Sequence, residues 1–107
     1  MKLLTKTLRQ CLPPLYTTEN DPDPKVICHF FTPDSSWDWY ALEFDGEDIF
    51  FGLADGFVVE LGYFSLKELQ GARGKLGLPV ERDLHFKPIR LSEVKARLQA
   101  EGKQVSS

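Results

Sequence analysis

Between Trp37 and Gly52 the chain reads WDWYALEFDGEDIFFG, which places Glu43, Asp45, Glu47 and Asp48 close behind two tryptophans, Trp37 and Trp39. Side chains of these types can do two kinds of chemistry. Carboxylates that converge on one point hold a hard divalent cation, and one or two are enough where substrate phosphates complete the shell. Exposed indoles give a surface on which nucleic-acid bases stack. A second group, Asp83, His85 and Lys87, alternates along DLHFK. On a strand that spacing projects all three from one side, where an acid holds a cation and a lysine steadies the attacking water. His85 stands where a second carboxylate is expected. Glu43, Asp48 and Asp83 are therefore the metal candidates, and Asp83 and Lys87 the catalytic ones, for a metal-dependent phosphodiesterase. No motif identifies a cofactor; a divalent cation is the one group these carboxylates could take.

Charge supplies the binding candidates. The chain carries a formal charge of −3, but the first 64 residues have four Lys/Arg against eleven Asp/Glu and the remainder nine against five. Such polarity marks either a basic partner-binding face or two halves that neutralise each other in the fold. On the first reading Trp37 and Trp39 work with Arg73, Lys75, Arg82, Lys87 and Arg90, stacking plus salt-sensitive cation contacts being the physics of single-strand binding. The total charge is too mild for a DNA mimic and gives no global basic signature.

Positioning these residues falls to a short list of elements. Thr5 caps a helix over Lys6–Leu12 that Pro13 and Pro14 stop. Thr17–Pro24 is a polar loop, and Lys25–Phe31 (KVICHFF) is a strand ending at Thr32-Pro33. Trp37–Phe44 and Asp48–Ala54 form a hairpin about Asp45-Gly46, and Asp55-Gly56 leads into a third strand, Phe57–Phe64. A two-residue loop pairs Glu43 with Asp48 and Trp39 with Gly52. It puts Tyr40, Leu42, Phe44, Ile49, Phe51 and Leu53 on a core face, with Trp37, Trp39 and Phe50 on the other. That second face is either another core layer or an aromatic platform. Glu43 and Asp48, like charges set opposite, cost something under about 1 kcal/mol, unless they point into water or await a cation or an arginine.

Ser65 and Glu68 make a capping box for a helix with Leu66 and Leu69 inward, ended by Gly71 or Gly74. Leu84–Pro88 is a short edge strand. Ser92 caps a last helix to Ala100, with Val94 and Leu98 inward, a Glu93–Arg97 pair outside and Gly102 past its end. The expected fold is α+β: an antiparallel meander of four to five strands with about three short helices packed on it. Residues 1–101 make a single domain and 102–107 a frayed tail.

Cys11 and Cys28 have neither metal-ligand nor framework spacing and read as small buried hydrophobes in a reducing compartment. Lys6 and Arg9 interrupt any signal-peptide core, and no stretch approaches a membrane span. The expected location is the cytoplasm, with no membrane partner. His29 beside Cys28 is no nucleophile–base dyad, because neighbours on a strand face opposite ways. Phosphate-binding loops, nucleophile elbows and zinc patterns are missing from the sequence.

The blocks LLTKTLRQCLPPLY, FFTPDSSWDWYALEFDGEDIFFGLADG, ELGYFSLKEL, RGKLGLPVERDLHFKP and LSEV together resemble a bacterial and phage family catalogued as domain of unknown function twenty-nine fifty-eight. The resemblance runs from about Lys2 to Val94. It implies a setting, small stand-alone proteins of plasmids, conjugative elements and phages, and carries no catalytic motif onto these residues. Beside it, the residues leave three readings: a non-catalytic module that binds single-stranded nucleic acid, an adaptor for a protein partner, or a metal-dependent phosphodiesterase, which the family resemblance narrows to a single-stranded DNA endonuclease.

Overall fold

Local sequence chemistry starts and stops most of the elements seen in the computed structural model, which describes residues 1–105. Helix α1 (Lys6–Cys11) begins where the Thr5 hydroxyl accepts from the Leu8 N–H at 3.2 Å. The apolar run after the proline loop is split into β1 (Lys25–Val26) and β2 (Cys28–Phe31), because the two parts pair with different strands. Strands β3 (Asp38–Phe44), β4 (Ile49–Asp55) and β5 (Val59–Ser65) follow as a meander. Helix α2 (Leu66–Gly71) comes next, with Ser65 at its N-cap. Then come β6 (Glu81–Arg82), β7 (Ile89–Arg90) and α3 (Leu91–Ala100).

The main sheet has the order β5-β4-β3-β2-β6, antiparallel throughout; β1 and β7 make a separate two-stranded sheet. The class is α+β with an antiparallel sheet, as expected. None of the helices among the described residues is long and apolar enough to cross a membrane.

Both faces of the sheet are covered. Phe30, Ala41, Phe44 and Phe50 meet Leu3, Leu4 and Leu12 from the N-terminus and Leu66 and Leu69 of α2. On the other side Leu42, Leu53 and Val59 meet Val26 and the α3 residues Leu91, Val94 and Leu98. Burying each of these large side chains contributes about 1.5–3 kcal/mol.

Two expectations fail here for physical reasons. The hairpin register shifts between Ala41 and Glu43: Ala41 pairs with Gly52 and Glu43 with Phe51, leaving Leu42 as the extra residue of a bulge. The alternation therefore resets, and Phe44 packs on Phe50 with ring centroids 4.6 Å apart, on the face opposite Leu42. The loop is also longer than two residues, so Phe44 pairs with Phe50; loop and bulge together set Trp39 opposite Ala54 rather than Gly52, and Glu43 does not face Asp48.

The second failure is the strand over Leu84–Pro88. That segment is a turn, because Asp83 closes it: the Asp83 carboxylate accepts from the His85 N–H at 3.0 Å and its carbonyl from the Phe86 N–H. The edge strand lies earlier, at β6, and Asp83, His85 and Lys87 do not alternate along a strand. Cys11 is also corrected, being exposed at the end of α1, whereas Cys28 is buried and burial pushes its thiol up to about 12.

The tail docks as far as Val105. Lys103 pairs with the buried carboxylate of Asp55, and Val105 bridges Val59 in parallel. Ser106 and Ser107 lie outside the described residues.

Candidate functional site

The loop Pro33–Ser36 between β2 and β3 is closed by one threonine. Thr32 donates its N–H to the Trp37 carbonyl and its hydroxyl accepts from the Trp37 N–H, both at 3.0 Å. This fixes where Trp37 leaves the loop. Its ring lies on the backbone of Gly56, so closely that a Cβ there would stand 2.1 Å from the indole. Two residues on, Trp39 points to the same side. The two rings stack at 5.9 Å with planes 27° apart, and Phe57, 95% exposed, sets its edge against Trp37 at 5.2 Å. The inner edge of Trp39 touches the Phe30 core, yet both tryptophans stay partly open to solvent. The second face is thus core near Phe50 and open near Trp37.

Across from the indoles runs the segment that follows α2. Its shape is set by Asp34, whose carboxylate accepts from the Leu76 and Leu78 N–H groups at 2.6 and 3.1 Å. Gly74 passes directly over this carboxylate, and Gly77 takes φ +82°, a conformation that favours glycine. The loop so clipped presents Arg73 and Lys75. Arg73 wraps back on the end of α2 through the Gln70 and Ala72 carbonyls. Neither cation joins an ion pair among the described residues. Trp37, Trp39, Arg73 and Lys75 line one groove of about 450 Å³, together with Thr32 and Ser35.

The other proposed binders lie elsewhere. Arg82 donates to the Lys2 and Leu3 carbonyls at 2.6 and 2.9 Å and stitches the N-terminus to β6. Arg90 donates to the Asp23 carbonyl. Lys87 is exposed on the turn after Asp83.

The three metal candidates serve three separate local tasks. Glu43, 3% exposed, accepts from the Tyr16 and Thr18 N–H groups at 2.9 and 2.7 Å and from the Thr18 hydroxyl, pinning the first loop to the sheet. Asp48 accepts from the Ser65 hydroxyl and the Lys67 N–H, which holds its carboxyl below the ordinary range and secures the start of α2. Asp83 meets a histidine. Its Oδ2 lies 3.1 Å from His29 Nδ1, while His29 Nε2 lies 2.7 Å from Asp38 Oδ1. Burial acts to raise the Asp83 carboxyl, but the His29 contact and the His85 N–H outweigh it and hold the group low. Among the described residues no set of three or more His, Cys, Asp or Glu side chains is placed to hold a metal ion.

Sequence reasoning missed two things. The Asp38–His29–Asp83 clamp needs the β2–β3 register, which sets His29 opposite Tyr40 and leaves Asp38 on the diagonal. Phe57 was visible only as a strand residue, and its place beside Trp37 follows from the turn at Gly56.

Comparison with known proteins adds one match: the family model described as "Protein of unknown function (DUF2958)" covers residues 3–105. No curated protein matches the chain, and no solved structure does.

Proposed function

We propose that this chain, which belongs to the DUF2958 family of proteins of unknown function, is a non-catalytic module that binds single-stranded nucleic acid. The observation that carries the reading is the groove in which the stacked pair Trp37 and Trp39 faces Arg73 and Lys75. Indole faces accept any base, at about 1–3 kcal/mol per stacked base. The two cations supply the sequence-independent attraction to phosphate that tracks a strand. Duplex DNA fits this groove less well, since its bases are already stacked on each other.

The endonuclease alternative requires Glu43, Asp48 and Asp83 around one point, and their separate hydrogen-bond duties do not favour it. A setting in mobile-element DNA biology, which the family resemblance implies, agrees with strand binding.

Both tryptophans of the chain sit in the groove, so tryptophan emission excited beyond the tyrosine absorption band reports on it alone. Titration with a mixed-sequence single-stranded oligonucleotide is expected to quench the emission saturably at low salt and more weakly at high salt. Emission unchanged by the oligonucleotide overturns the reading and turns the search to protein partners.

A further inference from the structure

On the opposite side of the sheet lies a second cavity, about 370 Å³ in volume, between the Tyr16–Pro24 loop, β4 and β5, and α3. Its floor is apolar, formed by Leu42 and Leu61, and its aromatic walls are Phe51, Tyr63 and Tyr16. Phe51 and Tyr63 pack at 5.1 Å between centroids, and Tyr63 is 58% exposed at the mouth. Tyr16 is held at the rim with φ 72°, an unusual conformation for a residue with a Cβ, by the 2.9 Å hydrogen bond from its N–H to Glu43.

The electrostatics of this cavity are one-sided. Glu43 lines it as a buried carboxylate that accepts three hydrogen bonds and has no ion-pair partner among the described residues. Glu19 and Asp21 add two more acids to the lining, against one base, Lys95. Those three donors meet its charge, so Glu43 adds to the field from beneath, while the exposed Glu19 and Asp21 stand open to solvent. Partial desolvation and the neighbouring Tyr16, ahead of the charges of Glu43 and Glu19, raise the Tyr63 phenol above its ordinary value.

We propose that this cavity binds an organic cation, a guanidinium or ammonium group on a short apolar stem. Tyr16, Phe51 and Tyr63 supply the ring faces that attract a cation, Leu42 and Leu61 take the stem, and Glu43, Glu19 and Asp21 supply the counter-charge. The cation can arrive as a free alkylamine or alkylguanidine, or as an arginine or lysine side chain of a partner. Since the cavity lies across the sheet from the tryptophan groove, this proposal stands or falls independently of strand binding.

The test follows backbone amide shifts of the full chain by nuclear magnetic resonance during titration with acetyl-arginine amide, with acetyl-citrulline amide as the neutral isostere. Saturable shifts centred on Tyr16, Thr18 and Leu61 are expected for the cation only. Tyr63→Leu, at an exposed position the fold tolerates, weakens binding about threefold to tenfold, and Lys95→Glu tightens it. Equal response to the neutral isostere, or an unchanged affinity in both variants, overturns the proposal. Agmatine and a Gly-Arg-Gly peptide then separate the sources: tighter binding of agmatine assigns the site to a free amine, and tighter binding of the peptide to a partner's side chain.

Discussion

His29 and Asp38 are joined across β2 and β3 by a 2.7 Å contact between Nε2 and Oδ1, although His29 directly opposes Tyr40 in the register. The ring lies flat on Tyr40, centroids 4.5 Å apart and planes 4° apart, and its other nitrogen meets Asp83 at the turn after β6. One imidazole therefore ties the edge strand's exit to the middle of the sheet. A neutral ring has a single N–H and can serve one carboxylate; the doubly protonated ring serves both.

Replacing His29 by leucine removes the ring that meets two partly buried carboxylates while keeping bulk over Tyr40. The expected loss is about 1–3 kcal/mol, read as a lower urea midpoint with the slope unchanged. A midpoint equal to that of the parent chain would show the clamp to be energetically idle.

The same clamp fixes an acid limb. Asp83 is held below its ordinary range in the folded chain. Its contribution is therefore complete above about pH 4, the unfolded value, and is lost as pH falls through the lower folded value. Asp83→Asn should flatten the fall in stability on acidification relative to the parent. Parallel stability curves for the two proteins between neutrality and pH 2 would refute the assignment.

At the other end of the scale, Lys103 is bonded to the buried Asp55, and that bond, ahead of the opposing effect of burial, raises its ammonium above the ordinary value. A raised cationic group stabilises fully below the unfolded value near pH 10.4 and loses its contribution as pH climbs through the folded value. Lys103→Met is expected to cost about 1–3 kcal/mol at neutral pH, chiefly by stranding Asp55. Amide exchange at Val59 and Val105 should quicken in that variant, because the tail pairs there. Unaltered protection at both amides would mean the tail is held by other contacts.

What could be read from the sequence divides along physical lines. Helix ends governed by neighbouring side chains were legible: Thr5 and Ser65 cap where their types dictate, and Leu66, Leu69, Val94 and Leu98 point inward. Ser92 shows the limit. It sits inside α3 and bonds to Asp23, a partner 69 residues away that no local pattern reveals. The Asp45-Gly46 turn was visible, but Asp45 accepts from the N–H groups of Glu47, Asp48 and Ile49 and builds a longer loop. With the Leu42 bulge, that loop changed every cross-strand partner. Among the site residues, Trp37, Trp39 and Arg73 do share a groove, whereas Glu43 secures a loop and Asp48 the start of α2. Acids that accept backbone N–H groups look the same in a sequence as acids that await a cation.

Glycine positions give a sharp test of the sheet. Gly52 and Gly62 are paired across β4 and β5, yet a Cβ at Gly52 would stand 2.0 Å from the Tyr40 carbonyl oxygen, while one at Gly62 meets nothing within 4 Å. Gly52→Ala must push β3 and β4 apart and is expected to cost more than about 3 kcal/mol. Gly62→Ala should fall within about 1 kcal/mol of the parent, with β propensity favouring alanine slightly. Thermal midpoints of the two variants decide it, and similar midpoints would contradict the bulged register.

The last prediction separates charge from stacking in the groove. Arg73 and Lys75 are exposed, and neither holds an ion pair that folding would miss. The double change Arg73→Glu with Lys75→Glu should therefore cost no more than about 1 kcal/mol, the loss of the Arg73 contacts with the end of α2 included. Oligonucleotide affinity should fall steeply, and the logarithmic salt slope should shrink by about 1.4, since each lost phosphate contact on a single strand removes about 0.7. Trp39→Leu should weaken binding by an amount that salt does not alter, because stacking releases no counter-ions. If the double variant keeps the parent's slope, the cations that meet the strand lie outside this groove, and the assignment of Arg73 and Lys75 fails.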